Sequence, residues 1–213
     1  MAELPKLSAV GSGHKLGPVG GICAIAWSNT AGSYVITNDH VVRNIRTGQI
    51  RPDIVIEDEG GRFRGLVSRS TGVTMARDNE HDAAIVSFAP EMRIYPWSVP
   101  EGRIAEVGEI GQGKLYQYNV DGLPPIVCRA IAKITNRLAF DVPGSPGLVY
   151  YCLNFWILQV ERGTTLGGHS GALLHRGIPG GALAAGLLFA RLEQYNQALA
   201  FSANAEWKAL GLI

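Results

Sequence analysis

Surplus charge is the first thing this sequence lacks: 19 Lys and Arg stand against 18 Asp and Glu, a net charge of +1. There is no basic field to hold nucleic acid and no acidic one to draw a cationic partner. Cysteine is scarce as well. Cys23, Cys128 and Cys152 form an odd set without metal-like pair spacing. That fits free buried thiols in a reducing compartment better than a disulfide framework, with a single bridge left open. Long apolar runs are missing. The two most apolar stretches, "LVYYCLNFWILQV" (148–160) and "ALAAGLLFA" (182–190), fall short of the ~20 residues of a membrane span. Both read as interior strands, and no membrane partner is expected. The opening "MAELPKLSAVGSGHKLGPVGG" brings Pro and charge early and never offers the apolar core of a secretory signal, so a cytoplasmic location is expected.

What is present is a chain of 213 residues with 46% hydrophobic composition, enough to bury a sizeable core in one compact domain or two small ones sharing an interface. Short β-type runs recur, among them "SYVIT" (33–37), "AAIVSF" (83–88), "IVCRAIAKIT" (126–135), "FWILQV" (155–160) and "LAAGLLFA" (183–190). Turn formers such as "DEGG", "VDGLPP" and "VPGSPG" separate them, the signature of an all-β barrel or sandwich. The clearest helix is the last segment, 204–213, capped by Asn204 or Ser202 and turning Trp207, Leu210 and Ile213 to the core. A proline-bearing interval, 89–109, reads as a loop. It divides the chain into halves, 1–98 and 99–213, with about six strands in each.

Chemistry concentrates in "TTLGGHSGALL" (164–174), where one serine stands among glycines. A serine hydroxyl that attacks a carbonyl needs a neutral imidazole, a carboxylate to fix that ring's tautomer, and NH donors for the oxyanion. The glycines at 167 and 168 can turn backbone NH groups toward one point, which makes Gly168 and Ser170 the oxyanion-binding pair. Of the five histidines, His40 stands out because it follows the strand "SYVIT" through a tight turn. Asp82 opens the apolar strand "DAAIVSF", where its carboxylate is partly buried and must find a donor. His40, Asp82 and Ser170 are thus the candidate catalytic residues. Asp39 and Asp78 lead into no apolar strand and read as solvated turn residues.

These blocks resemble the chymotrypsin-like (trypsin-like) serine proteases, in particular the bacterial branch that includes the HtrA enzymes and their stand-alone relatives. "VITNDHVV" is similar to the histidine block, "DAAIV" to the aspartate block and "GGHSGALL" to the nucleophile block; the order His, Asp, Ser agrees, at separations of 42 and 88 residues. The resemblance implies two packed six-stranded antiparallel barrels closed by a short C-terminal helix. It further implies an endopeptidase acting on a polypeptide substrate through an acyl-enzyme, with no cofactor. By the same resemblance Thr164 lies at the base of the specificity pocket and "LLFAR" (187–191), with Leu188, Phe189 and Ala190, forms its wall and the edge that pairs with the substrate backbone. With no carboxylate at that base, a small or apolar residue is expected before the scissile bond.

Some residues depart from the pattern. His169 stands where the digestive enzymes carry the aspartate that answers zymogen cleavage, so activation by cleavage is not implied. Ala172 replaces the second glycine of the commoner block, and no PDZ module is expected. Other motifs carry less. His81, His169, His175 and Asp82 match no zinc spacing, so no metal is expected. "GEIGQGKL" (108–115) puts Leu115 where a phosphate-binding loop needs Ser or Thr. A catalytically silent peptide-binding protein on the same fold is the competing class, and an esterase is a third.

Overall fold

Strands prevail here because the runs are rich in β-branched and aromatic residues, and many are bounded by Gly, Asn, Asp or Pro. A computed structural model describes residues 15–17, 21–22, 25–29, 32–52, 54–58, 61–88, 104–117, 126–142, 144–165, 168–179 and 181–213. In the first half the elements are β1 (Lys15–Gly17), β2 (Gly21–Ile22), β3 (Ile25–Asn29), β4 (Gly32–Thr37), α1 (Asp39–Val42), β5 (Val55–Asp58), β6 (Gly61–Arg64), β7 (Leu66–Ser70), β8 (Asp78–Asn79) and β9 (Ala84–Phe88). The second half has β10 (Ile104–Val107), β11 (Lys114–Gln117), β12 (Ile126–Ile134), β13 (Leu138–Asp141), β14 (Val149–Cys152), β15 (Phe155–Arg162), β16 (Leu173–Ile178), β17 (Gly181–Leu192), β18 (Gln197–Ser202) and α2 (Ala203–Ala209).

The second half closes on itself. Antiparallel ladders run β17, β16, β11, β12, β15, β18 and back to β17, a six-stranded barrel. Its interior holds Ile110, Leu115, Cys128, Leu158, Leu174 and Leu188. Eight of the nine described strands of the first half form two four-stranded sheets, ordered β2-β1-β5-β6 and β3-β4-β9-β7; β8 joins β13 and β14 instead. With few helices and a short C-terminal one, this is the all-β, chymotrypsin-like architecture the sequence implies.

Alternation along β4 and β9 places the site. Val35, Ala84, Val86 and Phe88 face one core with Val42 and Ile54, whereas Ile36 and Ile85 face another with Leu173, Leu187 and Trp207 of the second half. Both strands are therefore covered on both sides, and the second core is the joint between halves. Pairing of Thr37 with Ala84 leaves the residues just beyond, His40 and Asp82, side by side above that joint. A parallel pairing of β8 with β14 adds a second connection between the halves.

Several expectations need correction. Ile104–Val107, within the interval read as a loop, is a strand parallel to β17; the rest of that interval up to 103, including the 98/99 boundary, lies outside the described residues. The last helix spans Ala203–Ala209 and not 204–213. It stops because Gly211 takes φ +67°, so that Leu212 NH reaches the Trp207 carbonyl and Gly211 NH the Lys208 carbonyl, both at 2.9 Å. This paired closure satisfies carbonyls the helix end would otherwise leave open. Trp207 and Leu210 are buried as expected, but Ile213, beyond the stop, is 47% exposed. Ser202 occupies the cap position without a side-chain capping bond.

Cys128 and Cys152 are buried free thiols; burial pushes the Cys128 thiol up to about 12 and raises Cys152 further. Cys23 lies outside the described residues. No helix among the described residues is long and apolar enough to cross a membrane.

Candidate active site

Asp82 is held from four directions. Its Oδ1 accepts the His40 backbone NH at 2.9 Å, and its Oδ2 stands 2.5 Å from His40 Nδ1. Asn38 Nδ2 donates to the Asp82 carbonyl at 2.7 Å. The Asp82 NH in turn donates to the Glu206 carboxylate, 3.1 and 3.3 Å from its two oxygens. His40 is 6% exposed and Asp82 1%, so neither side chain has water as an alternative partner. An ionised Asp82 on Nδ1 fixes that nitrogen as the donor and leaves Nε2 with the lone pair.

This arrangement has a local cause. β4 ends at Thr37, and the chain turns through the single helical turn of α1, which keeps the His40 NH and ring on the same carboxylate. Asp39, on the opposite side of that turn, is fully buried and not solvated as expected. It accepts Arg43 Nε at 2.8 Å and the Val73 NH at 2.6 Å. Burial raises its carboxyl above the ordinary value, with the nearby Asp82 charge adding to the effect and Arg43 opposing it. Arg43 also donates to Ser70 Oγ at 2.6 Å, so α1 is pinned to the strand beneath it. Asp78 keeps its expected exposure and pairs with Arg137 at 3.5 Å.

Ser170 enters from the other half, in the turn before β16. That turn is fastened to β17: Gly171 NH donates to the Leu188 carbonyl at 2.8 Å, and Leu188 NH to the Ala172 carbonyl at 3.0 Å. Gly168 takes φ +99°, a conformation that favours glycine and turns its peptide relative to that of Ser170. The Ser170 hydroxyl donates to the Phe189 carbonyl at 3.3 Å and not to His40. His40 and Asp82 are thus brought together, while the serine is turned toward its own barrel.

Beside Ser170 is a cavity of about 90 Å³, walled by Thr165, Gly168 and His169 on the Ser170 side and by Leu188, Ala190 and Arg191 on β17. Two expected pocket residues, Thr164 of the base and Phe189 of the wall, are absent from its lining. Thr164 is exposed, and the adjoining Thr165 lines the cavity instead. The Phe189 ring is turned inward, 4.5 Å from Phe201 and 5.4 Å from Phe155 between centroids. Arg191, the last residue of the "LLFAR" stretch, brings a charge to this wall. Its Nη1 donates across to the Thr165 carbonyl at 2.8 Å.

Glu206 is a functional candidate that sequence reasoning missed. It is buried completely on α2, and burial pushes its carboxyl up to about 7 against the pull of His81. His81 Nδ1 stands 3.7 Å from Glu206 Oε1, longer than a hydrogen bond. The same carboxylate holds the His81 imidazole above its ordinary value. Glu206 sits beside Trp207 in an otherwise unremarkable amphipathic stretch, so no sequence signal marks it. Among the described residues no group of three His, Cys, Asp or Glu is placed to hold a metal.

No protein-family model matches the chain, and no curated protein sequence does. Solved structures do. Thermobifida fusca protease A is similar with a TM-score of 0.62 at 11% identity, covering 96% of this chain and 96% of that one. Nocardiopsis protease is similar with a TM-score of 0.59 at 14% identity over 95% of this chain and 97% of that one. The Rv3671c protease of M. tuberculosis, in its active form, gives 0.51 at 17% identity over 97% and 82%. These neighbours are chymotrypsin-like serine proteases, and the chain shares their fold.

Proposed function

We propose that the chain is a serine-type endopeptidase. The single observation that carries this reading is the Asp82 carboxylate spread over the backbone NH and Nδ1 of His40, above the joint from which the Ser170 turn also rises. In this reading Ser170 Oγ attacks the scissile carbonyl and His40 Nε2 takes its proton. Asp82 keeps the ring oriented and stabilises the imidazolium, and the NH groups of Gly168 and Ser170 bind the oxyanion. The proton returns through His40 to the leaving amine, and water then releases the acyl group from Ser170. The halves 1–98 and 99–213 divide the labour, with the first supplying base and acid and the second nucleophile and pocket. A polypeptide is the substrate, and the likeness of the "TNDHVV" block to the histidine block of the bacterial HtrA-like branch supports kinship with it.

For attack, the Ser170 hydroxyl must leave the Phe189 carbonyl and rotate toward His40. In this reading a change of rotamer at the half-buried Ser170 side chain precedes attack. The observed rotamer favours one second reading, a protein that binds peptide in the cleft without turning it over. A fluorophosphonate probe separates the two. Labelling of the wild type that disappears in Ser170→Ala and in His40→Ala supports the peptidase; no labelling of the wild type retires it.

A further inference from the structure

The cavity beside Ser170 has one permanent cation in its described wall, and that cation is fixed. Arg191 lies two residues beyond Phe189, whose carbonyl receives the Ser170 hydroxyl. Its guanidinium turns back over the cavity to the Thr165 carbonyl, 2.8 Å away, bridging β17 and the segment that precedes the nucleophile. The side chain is 31% exposed, and no carboxylate shares the described wall with it. Glu193 meets Nη2 at 3.3 Å from the solvent side, but it is 79% exposed, and an exposed pair of this kind neutralises little.

A guanidinium presents five N–H donors in a planar fork. The Thr165 and Glu193 bonds engage two of Arg191's, and the rest of the fork remains to be matched. The group that matches a fork in geometry and charge is a carboxylate, held by paired charge-assisted hydrogen bonds. A primary amide of the same shape keeps the geometry and loses the charge, while a lysine or arginine side chain meets repulsion. Leu188 and Ala190 on the same wall give a methylene stem apolar surface on the way to the fork.

We propose that this cavity takes an acidic side chain, Glu or Asp, from the residue preceding the scissile bond, and that Arg191 determines this specificity. The inference rests on reading Ser170 as the nucleophile, since that fixes which substrate residue enters the cavity. It replaces the small or apolar preference expected from position 164, because the charge that decides the matter comes from β17 and not from the pocket base.

Two experiments on the full chain test it. In the first, peptidyl coumarin amides identical except for Glu, Gln, Asp, Asn, Leu or Lys before the cleaved bond are compared by kcat/KM. Glu is expected to exceed Gln by about tenfold or more, the scale of a hydrogen bond to a charged group. Arg191→Met is expected to bring that ratio to about one, Arg191→Lys to preserve its direction, and Arg191→Glu to turn the preference toward Lys. Equal rates for Glu and Gln in the wild type, or an unchanged ratio in Arg191→Met, overturn the proposal. In the second, calorimetry on Ser170→Ala measures binding of acetylated peptides ending in Glu amide or Gln amide, which reads the cavity without turnover. Preferential binding of the Glu peptide alongside a wild type that cleaves nothing supports the cavity assignment and retires the nucleophile. Cleavage without acid preference does the reverse, and neither binding preference nor cleavage overturns both.

Discussion

Replacing Glu206 by Gln is expected to remove a pH dependence from the stability of the fold. The Glu206 carboxyl is completely buried on α2 and pushed from an ordinary 4.5 up to about 7, chiefly by loss of water. A carboxyl whose proton affinity is higher folded than unfolded stabilises the fold most below its unfolded pKa, and that contribution is lost as pH rises through the folded pKa. Here the window runs from 4.5 to about 7. At about 1.4 kcal/mol for each tenfold change in proton affinity, the loss across it is roughly 3 kcal/mol. His81 is raised by the same carboxylate; the two groups titrate as a pair, and their interaction is already contained in the Glu206 value. Urea denaturation followed by tryptophan fluorescence at pH 5, 6, 7 and 8 measures this. The wild type should lose roughly 3 kcal/mol more than Glu206→Gln between the ends of that range. Glu206→Leu, which leaves the Asp82 NH buried without its acceptor, should be less stable than Glu206→Gln at every pH by about 1–3 kcal/mol. Parallel curves for wild type and Glu206→Gln would refute the argument, since the buried carboxyl would then not be titrating with folding.

Three further outcomes follow from the geometry. Trp207, fully buried at the joint between halves with Ile36, Ile85 and Leu187, should cost about 3–5 kcal/mol as Trp207→Ala, read from the urea midpoint; a loss under 1 kcal/mol would mean the joint repacks around the gap. Gly186→Ala would set a Cβ 2.7 Å from Ile110 Cδ1 and 2.8 Å from the Phe201 carbonyl oxygen. Because backbone cannot yield as a side-chain tip does, a loss of about 1–3 kcal/mol is expected by thermal melting. Asp82→Asn should reduce the rate of fluorophosphonate labelling by about four orders of magnitude, as loss of tautomer control does in this kind of triad; a reduction under tenfold would remove Asp82 from the proposed mechanism.

The legible parts of this protein were those written in contiguous letters. β4 and β9 announced themselves as apolar runs, and the blocks at their ends contain His40 and Asp82, which do share a hydrogen-bonded contact. Features made by distant packing were not legible. Asp39 sits in a polar turn that reads as solvated, yet α1 folds it against Arg43 and Val73. Ile104–Val107 carries Glu106 and is too short to show a period; its strand exists because β17 offers an edge. Glu206 lies 124 residues from Asp82, and the "LLFAR" letters, read as a pocket wall, do not show that the Arg191 guanidinium turns back to Thr165. Thr165 and Thr164 are adjacent, and which of them lines the cavity depends on the phase of the chain before Ser170.

The brace from Glu206 to the Asp82 amide also imposes an order in time. At roughly 5–20 residues per second, a ribosome needs about 6–25 s to travel the 124 residues that separate them. During that interval the nascent first half is already in the cell with its acid loop unsupported from behind. On the proposed peptidase reading, His40 and Asp82 gain this support only after α2 has been made, so the centre is completed last.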